Sequence, residues 1–266
     1  MSTDTPVTIG ISGGTAHLTL NRPDKRNALD GATIGALSAA LERCAKDPAV
    51  RLLQLTGAGN VFCAGADLGE MQAQAQASEA QNLAHAKKLA ALLGALDGWP
   101  KPTLARVNGD GFGGALGLIA ACDIVVVAEG AKFAFTEVRL GLIPAVVSPF
   151  VLAKISESAA LRYFLTAETM SAAALKEMGL AHEVVSADTL DAACDRISEA
   201  ILKGAPGALI EAKALIRDVA HRSAAADRAE TSIQMAARLA HLRVQEEAQE
   251  GFSAFFAKRK PAWRRD

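Results

Sequence analysis

The sequence lacks the features that would direct it to nucleic acid, to a membrane or out of the cell. Its formal net charge is −1 over 266 residues, so no bulk excess of positive charge favours nucleic acid or an acidic membrane surface. The longest apolar stretch, residues 113–122, is too short to span a bilayer. The first six residues contain neither a basic start nor an apolar block, so we expect no signal peptide. A basic tail over 258–265 is most simply a solvated end.

Cysteine and histidine are too scattered to indicate a metal site. The four cysteines lie far apart, which predicts reduced thiols in a cytoplasmic protein. The five histidines show no metal spacing, so we expect no metal and assign them surface or core roles. Cys63 is interpreted as a small core residue rather than a nucleophile. The residues concerned are Cys44, Cys63, Cys122 and Cys194, and His17, His85, His182, His221 and His241.

Alternating strand-like and helix-like segments, followed by a mostly helical end, indicate an α/β fold. Half of the residues are hydrophobic, so the chain can bury a substantial core. Strands are predicted at 7–11, 16–20, 51–56, 103–107, 124–128, 132–135 and about 182–185. Helices are predicted from Asp30 to about 46, from 67 onward, and at 79–96, 113–121, 148–155, 157–165, 172–178, 188–202, 207–219, 224–242 and 246–256. An alanine- and glutamine-rich stretch at 72–77 is expected to be helical or mobile.

Two glycine-bearing loops, at 59–68 and 107–116, carry the strongest functional signal. Each follows a strand-like run and precedes a helix-like run, so each can present unpaired N–H groups at a helix N-terminus. Two such ends aimed at one point would form an oxyanion hole. Glu137 lies 23 residues beyond Gly114 in a largely apolar segment. The combination predicts an enzyme that acts on an activated carbonyl.

Several motifs in order resemble the crotonase (enoyl-CoA hydratase/isomerase) superfamily, and the resemblance covers nearly the whole chain. It implies a right-handed spiral of ββα turns as an acyl-CoA-binding core over 1–190. It also implies a helical C-terminal trimerisation region over 191–266, with homotrimers that often pair as hexamers. No cofactor is implied beyond the coenzyme A carried by the substrate. The motifs lie at 21–29, 64–68, 108–114, 122–124, 137–144 and 250–259.

The resemblance also assigns roles to individual residues. The N–H groups of Ala66 and Gly114 would bind the thioester oxygen of an acyl-CoA. Asp67 needs only its place at a helix N-terminus to explain it, and we favour that role over a catalytic one. The first loop would bracket the adenine, Lys25 and Arg26 would approach the CoA phosphates, and Phe252 and Lys258, from the same or a neighbouring subunit, would cover the nucleotide. The substrate-binding candidates are Lys25, Arg26, Ala28, Ala64, Ala66, Asp67, Leu68, Gly113, Gly114, Arg139, Phe252 and Lys258.

One position departs from the family pattern. Hydratases of this family usually carry two glutamates, but the first of these positions is Gly117 here, and only the second, Glu137, is present. Its apolar neighbours should raise the pKa of the Glu137 carboxyl toward the range useful for proton transfer. A single glutamate fits hydration of the C2=C3 bond and equally fits Δ3,Δ2 isomerisation. A third possibility is a substrate with its own distal carboxylate, held by Arg139; the geometry depends on whether the segment is extended or a turn.

The runs at 112–123 and 136–150 look most like one bacterial branch of the superfamily. That branch includes methylglutaconyl-CoA hydratases of leucine breakdown and isohexenylglutaconyl-CoA hydratases of acyclic terpene breakdown. The resemblance therefore favours a hydratase for a branched 3-methylglutaconyl-type acyl group. The isomerase and a non-catalytic acyl-CoA-binding protein are the alternatives, and decarboxylases and thioesterases share the scaffold.

Overall fold

The computed structural model describes residues 5–220 and 228–264. His221, Arg265 and the first residues of the helix predicted at 224–242 lie outside these ranges. The strands are β1 (Val7–Ser12), β2 (Thr15–Leu20), β3 (Leu52–Gly57), β4 (Val61–Cys63), β5 (Thr103–Val107), β6 (Asp110–Phe112), β7 (Ile124–Ala128), β8 (Lys132–Ala134), β9 (Met170–Ser171) and β10 (Glu183–Val185).

Eleven α-helices are described in the same ranges. They are α1 (Gly31–Lys46), α2 (Leu68–Ala75), α3 (Glu79–Asp97), α4 (Gly114–Ala121), α5 (Ser148–Leu152), α6 (Glu157–Thr166), α7 (Ala172–Glu177), α8 (Leu190–Leu202), α9 (Pro206–Ala220), α10 (Arg228–Arg243) and α11 (Glu246–Phe256). Short 3₁₀ helices lie at Pro23–Lys25, Glu137–Leu140 and Ala187–Thr189.

The strands form two sheets that the chain visits alternately. The larger sheet has the order β1-β2-β3-β5-β7-β10, and the smaller has the order β4-β6-β8-β9. The central pairs are parallel in both sheets, while β1 with β2 and β8 with β9 are antiparallel. Three consecutive strand pairs therefore each have one strand in each sheet: β3 with β4, β5 with β6, and β7 with β8. The segments after the first two pairs are helical, so the chain winds as ββα turns.

Apolar residues fill the space between these layers. One large buried cluster joins the first helix, the sheets and the buried helix α4. A second cluster lies where α8 packs against β3, β5 and β7, and it includes Leu52, Leu104, Val126 and Leu190. The helix α4 has no polar side chain on any side, and seven of its eight residues are buried. Its N-terminus is thereby held in the interior, next to the two glycine loops.

The predicted elements and the observed ones differ mainly where strands are very short. Most predicted bounds are confirmed within two residues, and the predicted N-cap Asp30 accepts a hydrogen bond from the Thr33 amide. The strands β4, β6 and β9 have two or three residues each, too few for a periodic pattern. The helix predicted at 148–155 ends at Leu152. The proposed boundary at residue 190 coincides with the first residue of α8.

Candidate active site

The two glycine loops lie directly against each other. A Cβ on Gly65, whose φ is +88°, would stand 2.6 Å from the carbonyl oxygen of Phe112. A Cβ on Gly109 would stand 2.1 Å from the carbonyl oxygen of Asn60. A side chain at either position would separate the loops, so the missing Cβ atoms permit their close approach. The contact joins the two chain segments that contain Ala66 and Gly114.

The backbone around Ala66 leaves one amide unused. Leu29 and Ala66 form an isolated parallel bridge, in which the Leu29 amide donates to Gly65 O and the Asp67 amide donates to Leu29 O. The bridge thus uses the carbonyl oxygen of Gly65 and the amide of Asp67, the residues on either side of Ala66. The Ala66 N–H itself makes no hydrogen bond to another described residue. This N–H is therefore available to a ligand.

Gly114 supplies the second amide from the start of α4. Gly113 precedes the helix with φ +51° and ψ −113°, and its own N–H donates to Ala134 O at 3.0 Å. Gly114 is the first helical residue, so its N–H has no partner inside the helix. It makes no hydrogen bond to another residue of the described part of the chain. The helix N-terminus adds partial positive charge at this position.

A cavity of about 180 Å³ joins both amide-bearing residues to Glu137. Its walls come from α1, α3, the two glycine loops and the segment that follows Glu137. The wall is largely aliphatic, and its polar side chains are Glu137 and His85. The lining residues are Leu29, Ile34, Ala66, His85, Leu89, Gly114, Glu137, Ile143, Pro144, Ala145, Val146 and Val147.

The Glu137 carboxyl lies beside the second glycine loop and is incompletely hydrogen-bonded. A Cβ on Gly113 would stand 3.2 Å from Glu137 Oε1, so the carboxyl lies against the residue that precedes the Gly114 amide. Its Oε2 is buried and has no hydrogen-bond partner. Burial raises the pKa of the Glu137 carboxyl, and a hydrogen bond to its own backbone N–H offsets this only in part. The shift moves the carboxyl toward the range in which a general acid–base group is effective.

The position of the usual first glutamate is closed by packing. Gly117 is buried in α4, and a Cβ there would stand 2.7 Å from Val147 Cγ1 and 2.8 Å from Leu93 Cδ1. Distances under 3 Å between carbon atoms are strongly repulsive, so no larger side chain fits without movement. Val147 and Leu93 therefore occupy the space into which a side chain at 117 would extend.

The polar loop before α1 is built around a buried asparagine. Asn27 has φ +55°, and its side-chain amide donates to Ala58 O and Val61 O, while its oxygen accepts from the Arg22 amide. Asparagine tolerates this left-handed conformation better than most residues. Lys25 is exposed, Arg26 pairs with Asp110 Oδ2 at 3.5 Å, and Ala28 is buried.

The first-loop candidates have different environments. Asp67 is the N-cap of α2 and pairs with Arg22 at 3.1 Å. Burial raises the pKa of its carboxyl, but hydrogen bonds from Gly69 and Arg22 outweigh burial and leave the pKa lowered. Ala64 is half-buried and Leu68 is 79% exposed. Asp67 thus has a complete structural role, and Leu68 is free to meet a ligand at the surface.

Of the candidate residues only Ala66, Gly114 and Glu137 line the cavity, and the three that remain to be placed lie outside it. Arg139 is on the 3₁₀ helix that begins at Glu137, so the segment is a turn, and its Nη2 donates to Ala167 O at 2.8 Å. Phe252 is half-exposed on α11, and it lines a largely apolar groove that Trp263 also lines. Lys258 is exposed after the end of α11.

The sequence interpretation missed His85 as a cavity residue. His85, Leu89 and Leu93 lie at four-residue intervals on α3 and share a face. Leu89 and Leu93 pack at Gly114 and Gly117, so the spacing places His85 on the face of α3 that borders the site, but only the packing of α3 in the structure makes this visible. Cys63, by contrast, is fully buried, and burial raises the pKa of its thiol to about 12, which fits the predicted core role.

The similarity to known proteins identifies the family. The family model for enoyl-CoA hydratase/isomerase matches residues 10–266. The chain belongs to this family. The crystal structure of an enoyl-CoA hydratase from Shewanella pealeana has a TM-score of 0.91 and 40% identity, covering 97% of this chain and 96% of that one. The (E)-benzylidenesuccinyl-CoA hydratase of Thauera aromatica is 30% identical over 97% of this chain and 99% of its own. The 2,3-dehydroadipyl-CoA hydratase of Escherichia coli is 34% identical over 92% of each.

These relatives confirm the crotonase-like α/β fold and an enzyme of the enoyl-CoA hydratase/isomerase family. They are hydratases of different acyl-CoA thioesters and do not single out a methylglutaconyl substrate. Among the described residues no helix combines the length and hydropathy needed to cross a membrane. The same ranges contain no cluster of three or more His, Cys, Asp or Glu side chains able to hold a metal ion.

Proposed function

We propose that this enoyl-CoA hydratase/isomerase family enzyme adds water across the C2=C3 bond of an enoyl-CoA thioester. One observation carries the proposal: Glu137, which has a buried and unpartnered carboxyl oxygen, lines the cavity that Ala66 and Gly114 also line. An acid–base group thereby shares a small, largely aliphatic space with two residues whose amides make no hydrogen bond to another described residue.

The residues suggest a balanced sequence of bond changes. The thioester oxygen accepts hydrogen bonds from the Ala66 and Gly114 amides, each worth about 3 kcal/mol to the transition state. The water oxygen attacks C3 and forms the C–O bond, and the π electrons move toward the thioester to give an enolate. The Glu137 carboxylate takes the proton that leaves the water. It then returns this proton to C2, so one water is added and the enzyme is restored.

The test is hydration of crotonyl-CoA, followed as loss of absorbance of the conjugated thioester. Replacing the carboxyl in Glu137→Gln should slow turnover at least about 100-fold because the amide cannot carry the proton. Glu129→Gln is the matched control, since Glu129 is exposed on the turn after β7 and should leave turnover unchanged. Turnover by Glu137→Gln at the wild-type rate would show that the carboxyl is not the acid–base group.

Isomerisation of a 3-enoyl-CoA is the second candidate, and the closed position at Gly117 favours it. A proton shuttle from C4 to C2 needs one carboxyl and the oxyanion hole but no bound water. The two reactions have opposite signals, because absorbance of the conjugated thioester falls on hydration and rises on isomerisation. Assay of crotonyl-CoA and a 3-enoyl-CoA with the same enzyme preparation decides between them.

A branched, glutaconyl-type acyl group is the narrower proposal for the substrate. Two relatives are named for benzylidenesuccinyl and 2,3-dehydroadipyl groups, which are half-thioesters of dicarboxylic acids. Arg139 is the proposed partner of the distal carboxylate, although its Nη2 already donates to Ala167 O. If Arg139 has this role, Arg139→Ala should lower kcat/KM for 3-methylglutaconyl-CoA far more than for crotonyl-CoA. Equal losses would assign Arg139 to the fold alone.

Two wider expectations are also part of the proposal. A homotrimer or hexamer would cover apolar residues that are exposed in the single chain, including Phe255 at 76% and Phe256 at 77%. In that assembly Phe252 and Lys258 would cover the nucleotide of the substrate, with Lys25 and Arg26 near its phosphates. Light scattering of the purified protein measures the assembly state. A cytoplasmic location is supported by four free, buried cysteines.

A further inference from the structure

His85 is the polar side chain that shares the reaction cavity with Glu137 and to which the mechanism above gives no role. It projects from α3 one turn before Leu89, a residue whose Cδ2 would stand 3.8 Å from a Cβ on Gly114. The next turn of the same face brings Leu93 against Gly117. The imidazole therefore lies on the helix face that borders the oxyanion amide, at the end away from the closed 117 position.

A fixed carboxylate orients this imidazole. Glu70 of α2 accepts a hydrogen bond from the Gly31 amide at 2.7 Å, which anchors its Oε1 at the N-terminus of α1. Its other oxygen, Oε2, lies 3.3 Å from His85 Nδ1. A carboxylate in this position favours the tautomer with the proton on Nδ1. The lone pair is then on Nε2, which makes no hydrogen bond to another described residue.

The closed position at Gly117 leaves the attacking water in need of a second partner. Glu137 can accept only the proton that the water gives up. A water held by one hydrogen bond is poorly oriented toward C3, and misplacement by about 1 Å can lower a rate about 100-fold. The acceptor must come from another wall of the cavity, and His85 is the polar side chain there.

We propose that Nε2 of His85 accepts a hydrogen bond from the water that attacks C3, while Glu137 takes the other proton. The inference rests on the proposed hydration. His85 gains no proton in this step, so the atom and charge balance given above is unchanged. Glu70 is the positioning residue, since it acts only through the imidazole tautomer.

Three variants separate this role from a structural one. His85→Phe keeps a ring without an acceptor and should lower kcat for crotonyl-CoA about 100-fold with little change in KM. His85→Gln supplies an amide oxygen and should recover much of that loss. Glu70→Gln keeps an oxygen for the Gly31 amide but offers an N–H to Nδ1. It should move the ring proton to Nε2, visible in the ¹⁵N shifts of His85, and lower kcat as His85→Phe does.

Exchange of the C2 protons of butyryl-CoA in D₂O is the internal control, because it uses Glu137 and the oxyanion amides but no attacking water. The proposal requires His85→Phe to keep this exchange while losing hydration. Unchanged hydration in His85→Phe overturns it, and so does loss of exchange and hydration together.

Failure of the wild-type protein to hydrate any enoyl-CoA would instead reject the proposed function. If wild type hydrates crotonyl-CoA and His85→Phe does so equally fast, only the role of His85 is rejected.

Discussion

Replacing Gly117 by alanine tests the claim that packing closes the position of the usual first glutamate. Two side-chain carbons, Val147 Cγ1 at 2.7 Å and Leu93 Cδ1 at 2.8 Å, would meet the new Cβ. Overpacking of this kind in a buried helix costs about 1–3 kcal/mol. Glycine-to-alanine exchange in a helix interior otherwise gains about 0.5–1 kcal/mol. We therefore expect Gly117→Ala to lower the free energy of unfolding by a net amount on the order of 1–2 kcal/mol.

Gly94→Ala is the matched control because Gly94 lies inside α3 and a Cβ there meets no atom within 4 Å. That variant should gain stability, by about 0.5–1 kcal/mol. Both free energies are measured by equilibrium unfolding in urea, and their difference isolates the clash from the helix propensity. Gly117→Ala that is as stable as Gly94→Ala would refute the packing argument.

A double-mutant cycle with Val147→Ala identifies the source of the strain. Val147→Ala removes Cγ1, the nearest contacting carbon, and keeps Cβ, which would lie 3.2 Å from the new methyl group, so the double variant should be more stable than the sum of the single effects allows, with a coupling of about 0.5–3 kcal/mol. Additive effects would show that Val147 Cγ1 is not the source of the strain. The same geometry predicts that Gly117→Glu destabilises the protein and does not create a second functional carboxyl.

Other parts of the structure give further predictions. Because the pKa of Glu137 is raised, the native state binds more protons than the unfolded state above the ordinary carboxyl pKa, so wild-type stability falls as pH rises through that window. Glu137→Gln should therefore gain stability relative to wild type as pH rises above the ordinary carboxyl range; a difference in urea unfolding that stays constant with pH would contradict this. Cys63→Ala should keep turnover, since the thiol is buried and protonated; loss of activity without unfolding would argue for a nucleophile. Asp123 accepts from Lys213 Nζ at 2.6 Å, and burial lowers the pKa of Lys213 more than this partner raises it; Asp123→Asn should cost about 3 kcal/mol because the Lys213 ammonium, 11% exposed, loses its carboxylate, and Lys213→Met should cost clearly less because the Asp123 carboxylate is 28% exposed and still accepts from Thr103. Equal losses in thermal or urea unfolding would contradict that order.

The outline of the fold was predictable because long periodic segments dominate it. The capped helix after Asp30, the buried run at 113–121 and the strand at 103–107 each have a clear pattern, and the structure confirms them. The small sheet was not predictable in the same way. Its strand β4 spans only Val61–Cys63 and lies within a glycine loop, where a turn and a strand have the same local sequence features.

The residues of the candidate site also differ in how well the sequence predicted them. Motif resemblance selected Ala66, Gly114 and Glu137, and the cavity contains all three. Resemblance could not find His85, because its partner Glu70 is 15 residues away and the cavity wall that it forms depends on how α3 packs across the glycine loops. For Arg139 the sequence suggested more than the structure supports. Its spacing from Glu137 would place both side chains on one face of an extended segment, but the chain forms a 3₁₀ turn there.

The distribution of satisfied and unsatisfied polar groups gives a physical argument for where the chemistry occurs. Around the loops, Asn27 and Arg22 use their side chains in several hydrogen bonds each. A folded chain loses about 1–3 kcal/mol for a buried polar group without a partner, so such groups are normally satisfied. Glu137 Oε2 is buried without a hydrogen-bond partner. The amides of Ala66 and Gly114, two residues that line the same cavity as Glu137, donate to no described residue. A bound thioester oxygen and a water would satisfy these groups, so occupancy of the cavity by substrate should raise the stability of the protein.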